Sequence, residues 1–375
     1  MDGWAVAIGI GVIASRFLVP LLIPLWPLPT MIAALILDAV DQTVFQALAP
    51  TADLSWYQGY DKALDIYYLG IAYLSTLRNW TNSAAFQVSR FLYYYRLVGA
   101  TLFEATGLRW LLLVFPNTFE YFFDTLEAIR TRWDPRRVSV ALVVGIAAFI
   151  WIVIKLPQEW WIHIAQLDTT DIIQESIFGV PPGTSWADTL AGQWGIVIGF
   201  VVAVVLLIVL AWWVITRKLP PADRPFTLHA DAQQPQLDPA AVSAAETAIA
   251  GRLWAAATFE KVVFLVLITA IFGMMLDLRV PSVSLAVAVA VVVVLTTAIS
   301  HWLTRRGSTP EGAVRQFLLT AVVIGGVVFG MTLVTPLPGG EDALAMTLFF
   351  VVLMSVLITM YDRFLPRHVS RFGGS

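Results

Sequence analysis

Three stretches of this chain, residues 189–216, 280–304 and 316–340, contain no Asp, Glu, Lys or Arg. Each exceeds the roughly 20 residues with which an α-helix crosses ~30 Å of hydrocarbon. None carries the polar face that a helix in a water-soluble fold turns to solvent. Blocks such as VVAVVLLIVLAWWVIT at 201–216 also exclude a transmembrane β-barrel, whose strands alternate in segments of about ten residues. In lipid a continuous helix satisfies its own backbone groups. The expected fold is therefore all-α, a polytopic integral membrane helical bundle. The charged fraction of 13% fits this, being about half that of a typical soluble domain.

Hydropathy places membrane helices near 3–25, 29–48, 60–78, 85–105, 110–129, 138–155, 193–216, 255–276, 281–303, 317–336 and 343–362, about 10–11 in all. The opening MDGWAVAIGIGVIASR has no basic residue before Arg16, unlike a cleavable signal peptide, and is expected to remain as the first span. Prolines 220, 221, 225, 235 and 239 mark 217–240 as a cytoplasmic linker. It separates a 1–216 membrane domain from a four-helix membrane domain at 241–375. Basic residues cluster before the sixth helix (Arg130, Arg132, Arg136, Arg137) and after the seventh, ninth and last, whereas 156–192 has five acidic residues and no Lys or Arg. This bias puts the C-terminus in the cytoplasm and 156–192 outside, as an interfacial segment, in a bacterial-type inner membrane. Gly326 and Gly330 have a spacing that permits close helix contact, within the chain or between copies.

Ionisable groups concentrate in 30–130. Asp38 and Asp41 lie at i and i+3, and Asp61 and Asp65 at i and i+4, so each pair shares a helix face. Four converging carboxylates need protons, basic partners or a cation. With no Cys in the chain, a hard oxygen-ligated ion, Mg²⁺ or another divalent cation, is the simplest metal reading; the other is that these are helix-end charges facing headgroups and water. Arg90 and Arg96 flank Tyr93, Tyr94 and Tyr95, and with Lys62 are candidates for phosphate binding or counter-charge. Asn117, Glu120, Asp124 and Glu127 form one helical stripe, a candidate polar pathway, because ionisable groups in such segments face a bundle interior or aqueous cavity. The four histidines share no metal-ligand spacing, and there is no glycine-rich phosphate loop.

From Arg16 to Asp65 the pattern resembles the CDP-alcohol phosphatidyltransferase superfamily, whose signature is Asp, two residues, Asp-Gly, two, Ala-Arg, then Gly, three, Asp, three, Asp. Asp38 and Asp41 match the first pair and Asp61 and Asp65 the second, behind an Arg16-containing first helix. Gln42, Phe45, Gln46 and Tyr57 stand where the signature has Gly, Ala, Arg and Gly. The resemblance implies that Asp38, Asp41, Asp61 and Asp65 hold divalent ions, and that Asp65, with Asp61 beside it, activates an acceptor hydroxyl.

Three functions stay open at this level. One is a divalent-metal-dependent membrane enzyme acting on a lipid or polyprenyl phosphate or diphosphate, resembling a phosphotransferase. Another is a proton- or cation-coupled transporter or channel. The last is an accessory subunit of a membrane complex. Membrane lipids and a further copy or a complex subunit are the expected partners; the net charge of -3 and lack of a basic tract speak against nucleic acid.

Overall fold

A computed structural model describes residues 3–48, 57–167, 169–182, 184, 186–218, 220–234, 237–250, 256–275, 288–289, 291–299, 310–334 and 341–372. Everything regular in them is helical. Helix α1 spans Gly3–Leu18, α2 Pro27–Leu48, α3 Tyr57–Asn79, α4 Ser83–Thr106, α5 Trp110–Val114, α6 Thr118–Arg130 and α7 Val140–Ile164. After them come α8 Trp194–Lys218, α9 Pro239–Ala250, α10 Ala256–Met275, α11 Pro310–Val334 and α12 Glu341–Phe372. Among the described residues three helical stretches are long and apolar enough to cross a membrane: Val140–Ile164, Gly312–Met331 and Leu344–Phe372. Most of the expected 281–303 helix, including His301, lies outside the described residues.

Helix α3 is the axis of the bundle. From Ile66 to Trp80 every residue is buried, the condition of a helix surrounded by others. Helices α12, α1, α10 and α4 pack round it, so its side chains share one apolar core with those of α6, α10 and α12.

The sequence pattern treats 110–129 as one helix, but the chain breaks at 115–117. Pro116 has no N–H and disfavours helical geometry at Phe115. The carbonyls freed there are taken by side chains of α4: Tyr95 donates to Val114 O at 2.9 Å and Arg96 to Phe115 O at 3.1 Å. Gly99 lets α4 approach the break, since a Cβ there would lie 2.1 Å from the Phe115 Cβ. Gly107, at φ +70°, ends α4 by donating to Phe103 O, the left-handed stop that favours glycine. Helix α7 runs on past the expected end at 155 to Ile164, widening into π-turns at Ile150–Lys155 and Trp160–Ile164 on either side of Pro157. Such turns accommodate an interrupted hydrogen-bond ladder.

The C-terminal end of α3 is tied down by polar contacts. Its last carbonyls have no partner within the helix; Arg371 of α12 donates to the carbonyls of Leu77, Arg78 and Trp80, and to Gln234. Arg78 and Asn79 both donate to Pro24 O, and Arg78 pairs with Asp231 at 2.7 Å. The described part of 217–240 is folded onto this end: Asp223 and Arg224 donate from their backbone to Arg132 O, and Ala230 donates to Leu25 O. Among the described residues nothing lies within 4 Å of where a Cβ would stand on Gly326 or Gly330, so they mediate no close helix contact there.

Candidate functional site

The four aspartates that two helices carry meet at one side chain. Arg16, in the last turn of α1, inserts its guanidinium between α2 and α3: Nη1 donates to Asp41, Asp61 and Tyr57, and Nη2 to Asp38 and Asp65. Tyr57 accepts from Arg16 at 3.0 Å and donates to Asp41 at 2.6 Å. The Arg16 and Asp41 side chains are each 3% exposed, against 36% for Asp38, 26% for Asp61 and 42% for Asp65. Arg16, Asp41 and Tyr57 thus form a closed floor, and the other three carboxylates form a rim that solvent reaches.

Charge decides what this rim needs. Four carboxylates around one guanidinium leave a formal charge of -3 when all are ionised, which a partly buried group carries only with protons or a further cation. One oxygen each from Asp38, Asp61 and Asp65 lie within 4.8 Å of one another. Opposite ligands of a Ca²⁺ ion are about 4.6–5.2 Å apart and those of Mg²⁺ about 4.2 Å. At this spacing the three carboxylates could coordinate a hard divalent cation, with the floor arginine already engaging one oxygen of each. Asp41 is not in the triad; its carboxylate is committed to Arg16 and Tyr57.

The cluster lies far from the arginine-rich end of α3. Fourteen residues separate Asp65 from Asn79, about 21 Å at 1.5 Å per residue. One turn along α3 from Asp65, Tyr68 reaches a second polar group at the helix break. Glu120 accepts from Tyr68 at 3.3 Å and from Asn117; the Asn117 N–H donates to Glu159 at 3.2 Å; and Glu159 meets His163 at 3.0 Å. Lys155 lies 3.7 Å from the Tyr121 ring centre, and Glu120, Lys155 and Glu159 are all buried.

The other expected site residues are dispersed. Lys62 pairs with Glu104 at 3.3 Å, Arg90 faces Gln87 and Glu260, and Arg96 donates to the Phe115 carbonyl at the helix break. Those partners all lie outside the aspartate cluster, where Arg16 is the counter-charge. The stripe on α6 divides: Asn117 and Glu120 join the second polar group, Asp124 has a buried oxygen without a partner, and Glu127 is sealed between Trp80 at 2.6 Å and Arg130. Sequence reasoning missed Tyr57 and Tyr68 as contacts, Lys155 and Glu159 on α7, and a buried pair in the apolar half, Lys261 and Asp362 at 2.7 Å. Glu260 beside it accepts from Tyr73. The available signal was a charge within an apolar span, which demands a partner.

Comparison of the chain with family models, curated proteins and solved structures gives no match. The membrane-helical architecture and the acidic triad are what the molecule itself displays.

Proposed function

We propose that the protein is a divalent-metal-dependent membrane enzyme acting on a lipid or polyprenyl phosphate or diphosphate. The observation that carries the reading is the convergence of the Asp38, Asp61 and Asp65 oxygens within 4.8 Å on an accessible rim above a buried arginine. Mg²⁺ or a similar ion held there would offset charge on the substrate phosphates. Asp65, the most exposed of the four, would accept a proton from an attacking hydroxyl. A distant relation to the CDP-alcohol phosphatidyltransferases would explain the paired aspartates, although the residues at 42, 45, 46 and 57 imply a different donor. The test is turnover of radiolabelled polyprenyl and lipid phosphates by the full chain in vesicles with Mg²⁺. Turnover should vanish with chelator and in a folded Asp65→Asn variant; turnover unaffected by either rejects the reading.

A second reading, proton or cation transport, draws on the polar groups that continue from the cluster. Tyr68 lies one turn beyond Asp65 on α3 and donates to Glu120, from which contacts run through Asn117 and Glu159 to His163. Buried ionisable chains of this kind serve as relays, and a helix broken at membrane depth is a common setting for ion sites. Flux in reconstituted vesicles under pH and cation gradients, abolished by Glu120→Gln, would favour it; absence of flux under every gradient would exclude it.

A further inference from the structure

The arginine-rich end, opposite the aspartate cluster on α3, contains a cavity of about 440 Å³ between the 131–139 turn and the folded 220–234 segment. That volume lies within the range of small-molecule sites. Its lining includes Arg136, Arg137 and Arg224 against Asp134 and Asp223. Arg224 spends both terminal nitrogens on the carbonyls of Gln233 and Trp133, which fixes the wall and leaves its charge without a bridging carboxylate. Arg136 engages Asp134 through Nε and Nη2, and Arg137 engages Asp223 through Nη1. Their remaining N–H groups are on side chains 59% and 76% exposed. Gln233, only 5% exposed, donates to Thr227 O, while its side-chain oxygen is buried and accepts nothing. The wall thus offers guanidinium donors for an anion, and among the described residues the buried side-chain oxygen of Gln233 has no donor.

We propose that this cavity binds a hydroxyl-bearing phosphate ester, with the phosphate on Arg136 and Arg137 and a ligand hydroxyl donating to Gln233. Arginine suits this task because its fork holds phosphate oxygens in fixed geometry. Two sources share this chemistry, a polyol-headed anionic lipid and a soluble polyol phosphate. The site is independent of the metal cluster. Native mass spectrometry on the detergent-purified full chain, titrated with phosphatidylglycerol, phosphatidylcholine or glycerol 3-phosphate, tests it. Phosphatidylglycerol or glycerol 3-phosphate should bind at least about tenfold better than phosphatidylcholine, the factor expected from one charged hydrogen bond. The exposed-residue variant Arg136→Gln/Arg137→Gln and the buried variant Gln233→Glu should each lose about tenfold. Binding of phosphatidylglycerol that glycerol 3-phosphate cannot displace identifies the lipid as the source; tight binding of glycerol 3-phosphate alone identifies the soluble ester. Equal binding of phosphatidylcholine, or unchanged binding by the folded arginine variant, overturns the proposal.

Discussion

Replacing Arg16 with Met should be the most damaging single change in the aspartate cluster. The substitution keeps an unbranched apolar stem but removes the guanidinium that all four carboxylates contact. Loss of the Arg16–Asp41 pair, with both side chains 3% exposed, leaves a buried charge uncompensated, at about 3–5 kcal/mol. The three rim carboxylates are partly solvated and add only about 0–1 kcal/mol each. The sum is a large fraction of the ~5–15 kcal/mol by which folded proteins are stable. Reversible unfolding in mixed micelles, followed by the tryptophan fluorescence, measures it. Adding Asp41→Asn should restore most of the loss, because the buried charge is then gone. A divalent ion at a hundred times its Kd for the variant should also restore about 2.7 kcal/mol. Arg16→Met within about 1 kcal/mol of the native protein, or no rescue by Asp41→Asn, would refute the reasoning.

In the apolar half, Lys261→Met should destabilise by about 3–5 kcal/mol, whereas Lys261→Met with Asp362→Leu should recover most of it; a double-mutant cycle on the same unfolding assay reads the difference. Gly99→Ala places a Cβ into Phe115 and should lower stability by about 1–3 kcal/mol, visible as an earlier unfolding midpoint with unchanged helicity. Outside the membrane-spanning segments, the hydrogen bonds from Arg136 hold the Asp134 carboxyl below its usual pKa. Its contribution to stability is therefore present above the ordinary value of about 3.9 and is lost as pH falls through the lower folded value. A carboxyl-carbon NMR titration should place the Asp134 midpoint below that value, and Arg136→Gln should move it upward; an unmoved midpoint would remove the cause assigned.

The apolar runs made the membrane class legible, and helical spacing was enough to set each aspartate pair on one face. Spacing within a helix says nothing, however, about which distant residue fills the space between two helices. Arg16 is 22 residues from Asp38 and 49 from Asp65, and no periodicity connects them; the resemblance to a family pattern noted Arg16 without placing it. Pro116 was visible, but the break depended on Tyr95 and Arg96 being in position to take the freed carbonyls. Lys155 is the last residue of the expected sixth helix. In the structure that helix continues through π-turns, which carries Lys155 into the buried polar group. Lys261 and Asp362 are 101 positions apart, each beside a neighbour of opposite charge (Glu260 and Arg363), and only the packing of α10 against α12 pairs them.

Mn²⁺ binding measured by electron paramagnetic resonance on the purified full chain tests the metal assignment most directly, since Mn²⁺ is a hard oxygen-seeking ion with a readable signal. Expected is one bound ion per chain, displaced by Mg²⁺, lost in Asp38→Asn, Asp61→Asn and Asp65→Asn, and retained in Asp124→Asn. No bound ion in the folded native chain, or binding that survives loss of the three rim carboxylates, would contradict it.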